Sequence, residues 1–224
     1  MANTIKVAID GPSGAGKSTI AKAASAKLGF VYVDTGALYR TVALNAIRNG
    51  ADTKKADEVI PTLEGLEVSL GFVDGVQHVY LNSEDVSDKI RTPEISMGAS
   101  AASAIPEVRK FLFNLQRDIA DKNNCIMDGR DIGTVVLPDA KVKIFLTASP
   151  EIRAERRYKE LKEKGTETTF EEVLADVKER DYNDSHREIA PLKATDESII
   201  VDTSALNLEQ SIEAIIKAIE ENMN

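Results

Sequence analysis

Short apolar runs rich in β-branched residues alternate along the chain with longer stretches whose apolar residues repeat at helical spacing. The runs predict strands at 5–10, 30–34, 125–128, 142–147 and 198–202. The longer stretches predict helices near 17–28, 37–49, 93–104, 107–122, 151–164, 170–187 and 208–222. This alternation is typical of βαβ units, in which helices pack on a parallel sheet, so the pattern indicates the α/β class.

One block, at about 66–91, breaks the alternation. Two short apolar runs, 68–70 and 79–81, lie on either side of the dipeptide Asp74-Gly75. Asp-Gly suits the tight turn of a hairpin, because its second residue tolerates a positive φ. We therefore predict a small antiparallel β insert at this place.

Length and composition narrow the class of protein. The 224 residues permit one large domain with small inserts, and 42% hydrophobic residues suffice for the core of a soluble globule. With 28 basic and 37 acidic residues the net charge is −9. A surface that coats nucleic acid needs clustered positive charge, so we expect no nucleic-acid partner.

The location and the oligomeric state of the protein are predicted from features that the sequence lacks. The single cysteine, Cys125, lies in an apolar run and has no partner for an internal disulfide, which favours a reducing compartment. The run at 5–9 contains Lys6 and is too short for a signal peptide, and none approaches the ~20 apolar residues of a membrane helix. We expect a cytoplasmic protein without a membrane partner, and a monomer, because no long apolar stripe is left unassigned.

The strongest motif follows the first predicted strand and opens the first predicted helix. It has the form G-x-x-x-x-G-K-[ST] and consists of Gly11, Pro12, Ser13, Gly14, Ala15, Gly16, Lys17 and Ser18. Glycines let phosphate oxygens approach backbone N–H groups, and the helix N-terminus favours anions. The lysine suits the β- and γ-phosphates, and the serine hydroxyl suits Mg²⁺. The motif predicts a nucleoside triphosphate site.

Two further polar segments follow predicted strands. The segment 34–40 begins Asp34-Thr35-Gly36 and ends at Arg40, which places a hydroxyl and an arginine at the start of a helix. The segment 128–131, Asp-Gly-Arg-Asp, follows an apolar strand, so that Asp128 has the position of an acidic residue near Mg²⁺. Sites at the carboxyl ends of parallel strands indicate an enzyme that binds two nucleotides.

Taken together, these motifs resemble the bacterial cytidylate kinase family over nearly the whole chain. Further matching segments are Ile90-Arg91-Thr92, residues 143–146 and residues 178–181. The resemblance implies a P-loop NTPase fold: a five-stranded parallel sheet flanked by helices, a small antiparallel β insert and a helical lid. It implies one kinase domain over 1–224, with a core (1–35, 123–149 and 188–224), a nucleoside monophosphate-binding region (36–122) and a lid (about 150–187).

The activity implied is transfer of the γ-phosphoryl group of ATP to CMP or dCMP, with Mg²⁺ as cofactor. The resemblance extends the ATP site from Gly11 to Thr19 and places Mg²⁺ near Ser18 and Asp128, directly or through water. Some family members have Gly at the position of Ser18, and some have Ser at the position of Thr35.

The resemblance also implies which residues bind CMP and which are catalytic. The CMP phosphate is expected to contact Thr35, Tyr39, Arg40 and Arg130, and cytosine is expected to contact Ser100, Arg109 and Asp131. Ribose and phosphates are assigned to Arg180, Asp184 and Arg187, which we predict to lie on one helix face. The catalytic set is Lys17, Arg130, Arg157, Arg180 and Arg187. Arg153 and Arg156 are the other candidates for the lid arginine, and family position favours Arg157.

Three alternatives compete with this interpretation. The nearest is a monophosphate kinase that prefers UMP or AMP. A regulatory GTPase is a second, but the chain has no Asn-Lys-x-Asp run to recognise guanine. An RNA-binding module is a third; the acidic balance, 5% aromatic residues and the absence of Trp oppose it, because base stacking needs exposed aromatic side chains.

Overall fold

The computed structural model describes residues 4–73 and 76–223. Within them the strands are β1 (Lys6–Asp10), β2 (Val31–Asp34), β3 (Val68–Val73), β4 (Val76–Leu81), β5 (Glu84–Asp85), β6 (Cys125–Gly129), β7 (Val142–Thr147) and β8 (Ile199–Asp202). The helices are α1 (Lys17–Leu28), α2 (Thr35–Arg48), α3 (Ala56–Val59), α4 (Pro93–Ala102), α5 (Pro106–Lys122), α6 (Pro150–Glu163), α7 (Phe170–His186) and α8 (Leu208–Asn222). The described residues divide into two compact units, one from 1–32 and 124–224 and one from 33–123.

The larger sheet has five strands in the order β2-β6-β1-β7-β8. Strand β1 pairs in parallel with β6 and β7, and β7 pairs in parallel with β8. The register sets Asp10 opposite Gly129 and Phe145, so β1 and β6 end side by side and β7 continues two residues further, to Thr147. The predicted α/β fold with a five-stranded parallel sheet is confirmed.

The unit of 1–32 and 124–224 is built on this sheet. Its core includes Ile126, Ile144, Ile215 and Ile219, all almost completely buried. Because β1 is a central strand, four of its five residues are buried, which explains its continuous apolar run. Cys125 is fully buried, as its apolar surroundings predict.

The unit of 33–123 has its own core and contains the predicted insert. Helix α2 packs its buried face, including Leu38 and Val42, with Val79 of β4 and Leu112 of α5. Strands β3 and β4 are antiparallel as predicted, and the predicted turn at residues 74–75 lies outside the described residues. The short strand β5 adds a third strand, in the order β3-β4-β5, which the sequence pattern did not predict.

Helix ends follow local capping. Helix α2 begins two residues before the predicted start, because Asp34 is its N-cap and its Oδ1 accepts from Ala37 N at 2.9 Å. Helix α1 ends at Leu28, and Gly29 follows it in the left-handed conformation that favours glycine.

Three short helical segments were not predicted: helix α3 with the 3-10 turn Ile60–Leu63 after it, the 3-10 turn Lys89–Arg91, and a π-helical turn at Ile132–Val136 that follows β6.

Candidate nucleotide site

The predicted P-loop lies between the end of β1 and the start of α1. Gly11 passes so close to β7 that a Cβ built on it would lie 1.9 Å from the carbonyl oxygen of Leu146, so this position accepts only glycine. Lys17 is buried, and its Nζ donates to the carbonyl oxygen of Pro12 at 2.7 Å. Burial and, after it, the charge of Arg130 lower the pKa of Lys17 to about 7, although three neighbouring carboxylates act in the opposite direction.

A hydroxyl and a carboxylate meet at the first turn of α1. Ser18 Oγ donates to Asp128 Oδ2 at 2.9 Å, and Tyr32 Oη donates to Asp128 Oδ1 at 3.2 Å. Asp128 ends the apolar part of β6 and is 3% exposed. The structure thus brings together the two residues that the sequence assigns to Mg²⁺.

Asp10, which sequence reasoning did not select, connects the P-loop strand to the segment after β6. Its Oδ1 accepts from Ile132 N and its Oδ2 accepts from Gly133 N, both at 2.7 Å. Burial raises the pKa of this carboxyl to about 6, against the lowering effect of the two N–H groups. The sequence signal was a polar residue at the buried end of a strand directly before a P-loop.

Arg130 and Asp184 form a partly buried ion pair, with Arg130 Nε donating to Asp184 Oδ2 at 2.7 Å. Burial acts to raise the pKa of Asp184, but the charges of Arg130, Arg187 and Arg180 and the Arg130 hydrogen bond outweigh it, so this pKa lies below its usual value. Four predicted residues are therefore electrostatically connected around one carboxylate.

The predicted helix face of Arg180, Asp184 and Arg187 needs one correction. Helix α7 ends at His186, and Arg187 is extended, with φ −63° and ψ 142°. Its Nε donates to the carbonyl oxygen of Ala190 at 2.8 Å, and its Nη2 lies 3.5 Å from Asp131 Oδ1. Arg187 therefore meets Asp131 from the segment after the helix and not from the helix face.

The three candidate lid arginines of α6 have different surroundings. Arg153 is 2% exposed; its guanidinium donates to both carboxylate oxygens of Asp181, at 2.8 and 2.5 Å, and to the Ser13 carbonyl at 3.0 Å. Arg156 donates to the Thr203 carbonyl at 2.8 Å. The predicted residue, Arg157, has a 40% exposed side chain that pairs only with Glu160 among the described residues.

In the unit of 33–123, the predicted phosphate-binding residues lie at the start of α2. Arg40 Nη2 donates to Asp34 Oδ2 at 2.8 Å, while the buried Nε of Arg40 has no hydrogen-bond partner among the described residues. Thr35 is buried in the first turn. An arginine held from one side, with a further donor unused, is suited to binding an anion.

The predicted cytosine-binding residues of this unit lie on α4 and α5. Arg109 is 9% exposed, and its guanidinium lies 5.8 Å from the ring centroid of Tyr39. Its Nη1 donates to the Ser103 carbonyl at 3.2 Å, and Ser103 Oγ donates to the Ser100 carbonyl at 2.8 Å. The structure therefore connects Arg109 through Ser103 to Ser100, its predicted partner at cytosine, and also brings it next to Tyr39, which was predicted to contact the phosphate.

No helix in 4–73 or 76–223 combines the length and the apolar character needed to cross a membrane. In the same residues, no group of three or more His, Cys, Asp or Glu side chains is arranged to hold a metal ion by itself.

A P-loop between the central strand of a parallel sheet and its following helix, with Ser18 bonded to Asp128, defines a P-loop nucleotide-binding protein of the α/β class. A sequence model of the cytidylate kinase family matches residues 7–221. The chain belongs to the cytidylate kinase family, and the resemblance drawn from the motifs is confirmed.

Individual relatives agree over almost the full length. A cytidylate kinase of Caldanaerobacter subterraneus subsp. tengcongensis is 50% identical over 219 residues, which are 98% of this chain and 96% of the relative. A cytidylate kinase of Fervidobacterium nodosum is 48% identical over 216 residues, 96% of each chain. The crystal structure of an uncharacterized protein from Eubacterium ventriosum has a TM-score of 0.53 at 14% identity, covers 98% of this chain and 99% of its own, and shows the fold alone.

Proposed function

We propose that the chain transfers the γ-phosphoryl group of ATP to CMP or dCMP, which gives ADP and CDP or dCDP. The observation that carries this proposal is the family match over residues 7–221. The chain is a nucleoside monophosphate kinase of the (d)CMP type, and the alternative preference for UMP or AMP is not favoured. We also propose the roles of individual residues.

ATP is proposed to bind at residues 11–19. The backbone N–H groups of the loop and the N-terminus of α1 favour its phosphates. Lys17 then exchanges its bond to the Pro12 carbonyl for bonds to phosphate oxygens. A polyanion beside this buried amine restores its charge, because it raises the lowered pKa of Lys17.

The side chains of Ser18 and Asp128 fit Mg²⁺. Mg²⁺ takes oxygen ligands, keeps several waters and uses only one or two protein carboxylates beside substrate phosphates. One hydroxyl and one carboxylate already in contact at 2.9 Å provide such a donor pair without a larger acidic cluster. When bound, the ion neutralises phosphate charge and orients the phosphoryl group.

The acceptor requires no general base. The second pKa of a phosphate monoester is near 6, so the attacking oxygen of CMP is mostly deprotonated at neutral pH. The side chains of His78 and His186 have other contacts, with Asp85 and with the Tyr182 carbonyl. Proton transfer therefore does not limit the choice of catalytic residues.

Charge is the main obstacle to the reaction, because two polyanions must be held together. Two unit charges 4 Å apart interact by about 4 kcal/mol at an effective dielectric of ~20. We propose that Thr35, Tyr39, Arg40 and Arg130 bind the CMP phosphate. Lys17, Arg130, Arg157, Arg180 and Arg187 are proposed to stabilise the transferred group.

Base choice is proposed to depend on Asp131, Arg109 and Ser100. A carboxylate accepts a hydrogen bond from the N4 amino group of cytosine, and an arginine and a serine serve the acceptor atoms of the ring. UMP has a carbonyl at the amino position, and the unpaired carboxylate would cost ~1–3 kcal/mol. CMP and dCMP are therefore expected to be preferred over UMP.

The segment of about 150–187 is proposed to be a lid, with residues 36–122 as the monophosphate-binding region and the remaining residues as the core. Helices α6 and α7 pack through Ala154, Val173 and Val177. Closure over both nucleotides would limit transfer to water. A cytoplasmic location, a monomeric state and the absence of a nucleic-acid partner remain proposals from composition.

The experiment that tests the function compares CMP, dCMP, UMP, AMP and GMP as acceptors with ATP and Mg²⁺, by separation of the diphosphate products. CDP and dCDP are expected as the main products. The matched variant is Arg109→Met, for which we expect a sharp rise in the KM for CMP and little change in the KM for ATP. Efficient formation of UDP from UMP, or of two ADP for each AMP consumed, with CMP left unphosphorylated, contradicts the proposal.

A further inference from the structure

Gln77, in strand β4 of the small insert, bonds to both backbone groups of one residue at the end of β2. Its Oε1 accepts from Asp34 N at 2.8 Å, and its Nε2 donates to the Asp34 carbonyl oxygen at 3.3 Å. The separation along the chain is 43 residues. A side-chain amide thus supplies the donor and the acceptor that a neighbouring strand would otherwise offer.

The position of β2 explains why such a partner is useful. In the order β2-β6-β1-β7-β8, β2 is an edge strand, and an edge strand has one row of backbone groups without a strand partner. Asp34 is its last residue and also the N-cap of α2. The Gln77 amide therefore fixes the peptide units on both sides of Asp34, where the strand ends and the helix begins.

The side chain of Asp34 carries this constraint to an arginine. Its Oδ1 accepts from Ala37 N at 2.9 Å, and its Oδ2 accepts from Arg40 Nη2 at 2.8 Å. Asp34 is thus held at its backbone by Gln77, and it holds Arg40 at its carboxylate. The buried Nε of Arg40 has no hydrogen-bond partner in the described part of the chain, and the Arg40 side chain is still 22% exposed, so part of it is accessible to a ligand.

We infer that Gln77 is a positioning residue for the acceptor phosphate, which it acts on through Asp34 and Arg40. This inference rests on the proposed function, in which Arg40 binds the phosphate of CMP. According to this inference the β insert contributes to the reaction, because it sets the geometry of the phosphate-binding arginine. Gln77 itself does not contact the substrate.

The insert does not depend on Gln77 for its own folding. Val79 and Leu81 of β4 and Val86 after β5 are buried in the core of the same unit. Gln77 itself is only partly buried. Removal of its amide should therefore leave the insert folded and change only the contact with Asp34.

The test compares Gln77→Ala with wild type and with Gln210→Ala. Gln210 is a matched control, because its Oε1 also accepts from a backbone N–H, that of Asn207 at 3.0 Å, in the cap of α8. We expect the KM for CMP and dCMP to rise about 10-fold in Gln77→Ala, a loss typical of one well-placed hydrogen bond. The KM for ATP should change by less than about twofold, and the control variant should keep both wild-type KM values.

Two further readouts separate positioning from a general structural effect. Cytidine lacks the phosphate, so its inhibition constant should be the same in wild type and Gln77→Ala. In an Arg40→Ala background, Gln77→Ala should raise the KM for CMP no further, because the arginine it positions is gone.

The outcomes are distinct. An unchanged KM for CMP in Gln77→Ala overturns the inference, and so does an equal rise of the KM for ATP, weaker cytidine binding, or a full additional effect in the Arg40→Ala background. A wild-type protein that forms no CDP or dCDP overturns the proposed function instead.

Discussion

Replacement of Asp10 by Asn tests whether the protein buries a carboxylate at a cost in stability. The Asp10 carboxyl accepts hydrogen bonds from two buried N–H groups, yet burial still raises its pKa to about 6 from the ordinary 3.8. The folded protein therefore binds more protons at this site than the unfolded chain between pH ~4 and ~6. Stability from this group is fully present below pH ~4 and is lost as the pH rises through ~6.

The magnitude follows from the two pKa values. The interval between 3.8 and about 6, at 1.36 kcal/mol per pK unit, corresponds to ~3 kcal/mol. Asn is similar in shape to the protonated acid, which also has one acceptor oxygen and one donor. We therefore expect the free energy of unfolding of Asp10→Asn to be close to that of wild type at pH 4 and up to ~3 kcal/mol higher at pH 7.

The assay is urea unfolding of both proteins at half-unit steps from pH 4 to 8, with Asp176→Asn, an exposed change on α7, as the control. The gap between Asp10→Asn and wild type should open between pH 4 and 6.5 and then stay constant, and the control should show no such step. A gap that does not depend on pH, or a variant less stable than wild type at pH 7, would refute the reasoning. The kcat should fall about tenfold, because Asn cannot accept from both Ile132 N and Gly133 N, which follow Arg130 in the chain.

Three other predictions concern the P-loop and the lid. At pH 8 the binding of ATP should take up nearly one proton, because the pKa of Lys17 is about 7 before the phosphates raise it. Calorimetry in buffers of different ionisation enthalpy measures this uptake, and the proton taken up by Lys17 should be absent in Lys17→Arg. Gly11→Ala should abolish ATP binding or folding, since its Cβ would lie 1.9 Å from the Leu146 carbonyl oxygen, and a variant with wild-type ATP affinity by the same calorimetry contradicts this. Arg157→Ala should change the free energy of unfolding by less than ~0.5 kcal/mol, because the ion pair of Arg157 with Glu160 is half exposed. It should lower kcat at least ~10-fold in a steady-state assay, and an unchanged kcat removes Arg157 from the proposed catalytic set.

The sequence predicted the sheet and the P-loop well because both signals are local. The strand β1, the glycines after it and Lys17 stand within twelve consecutive residues, so their pattern is visible without the fold. The role of Asp10 was not predictable in this way. Its partners lie 122 and 123 residues away and use only backbone groups, which no residue type reveals.

Sequence spacing also did not predict the contacts of the arginines correctly. Arg153 and Arg157 stand four residues apart in α6, which predicts a common face, but Arg153 is buried against Asp181 and the P-loop while Arg157 meets solvent. Arg187 has the spacing of a helix face, but the helix ends one residue before it without a Gly or Pro to mark the end. Tertiary contacts decide such cases, and spacing alone does not.

The bonds of Arg153 restrict how helices α6 and α7 can move relative to the P-loop. The guanidinium donates to a P-loop carbonyl and to a carboxylate on α7 at once, and its Nε donates to the carbonyl of Ala148, the residue after β7. A swing that starts at the base of α7 must break this junction or carry the P-loop with it. The connection between α6 and α7, residues 164–169, lies outside this junction, so it can change conformation without breaking the bonds that join Arg153 to the P-loop.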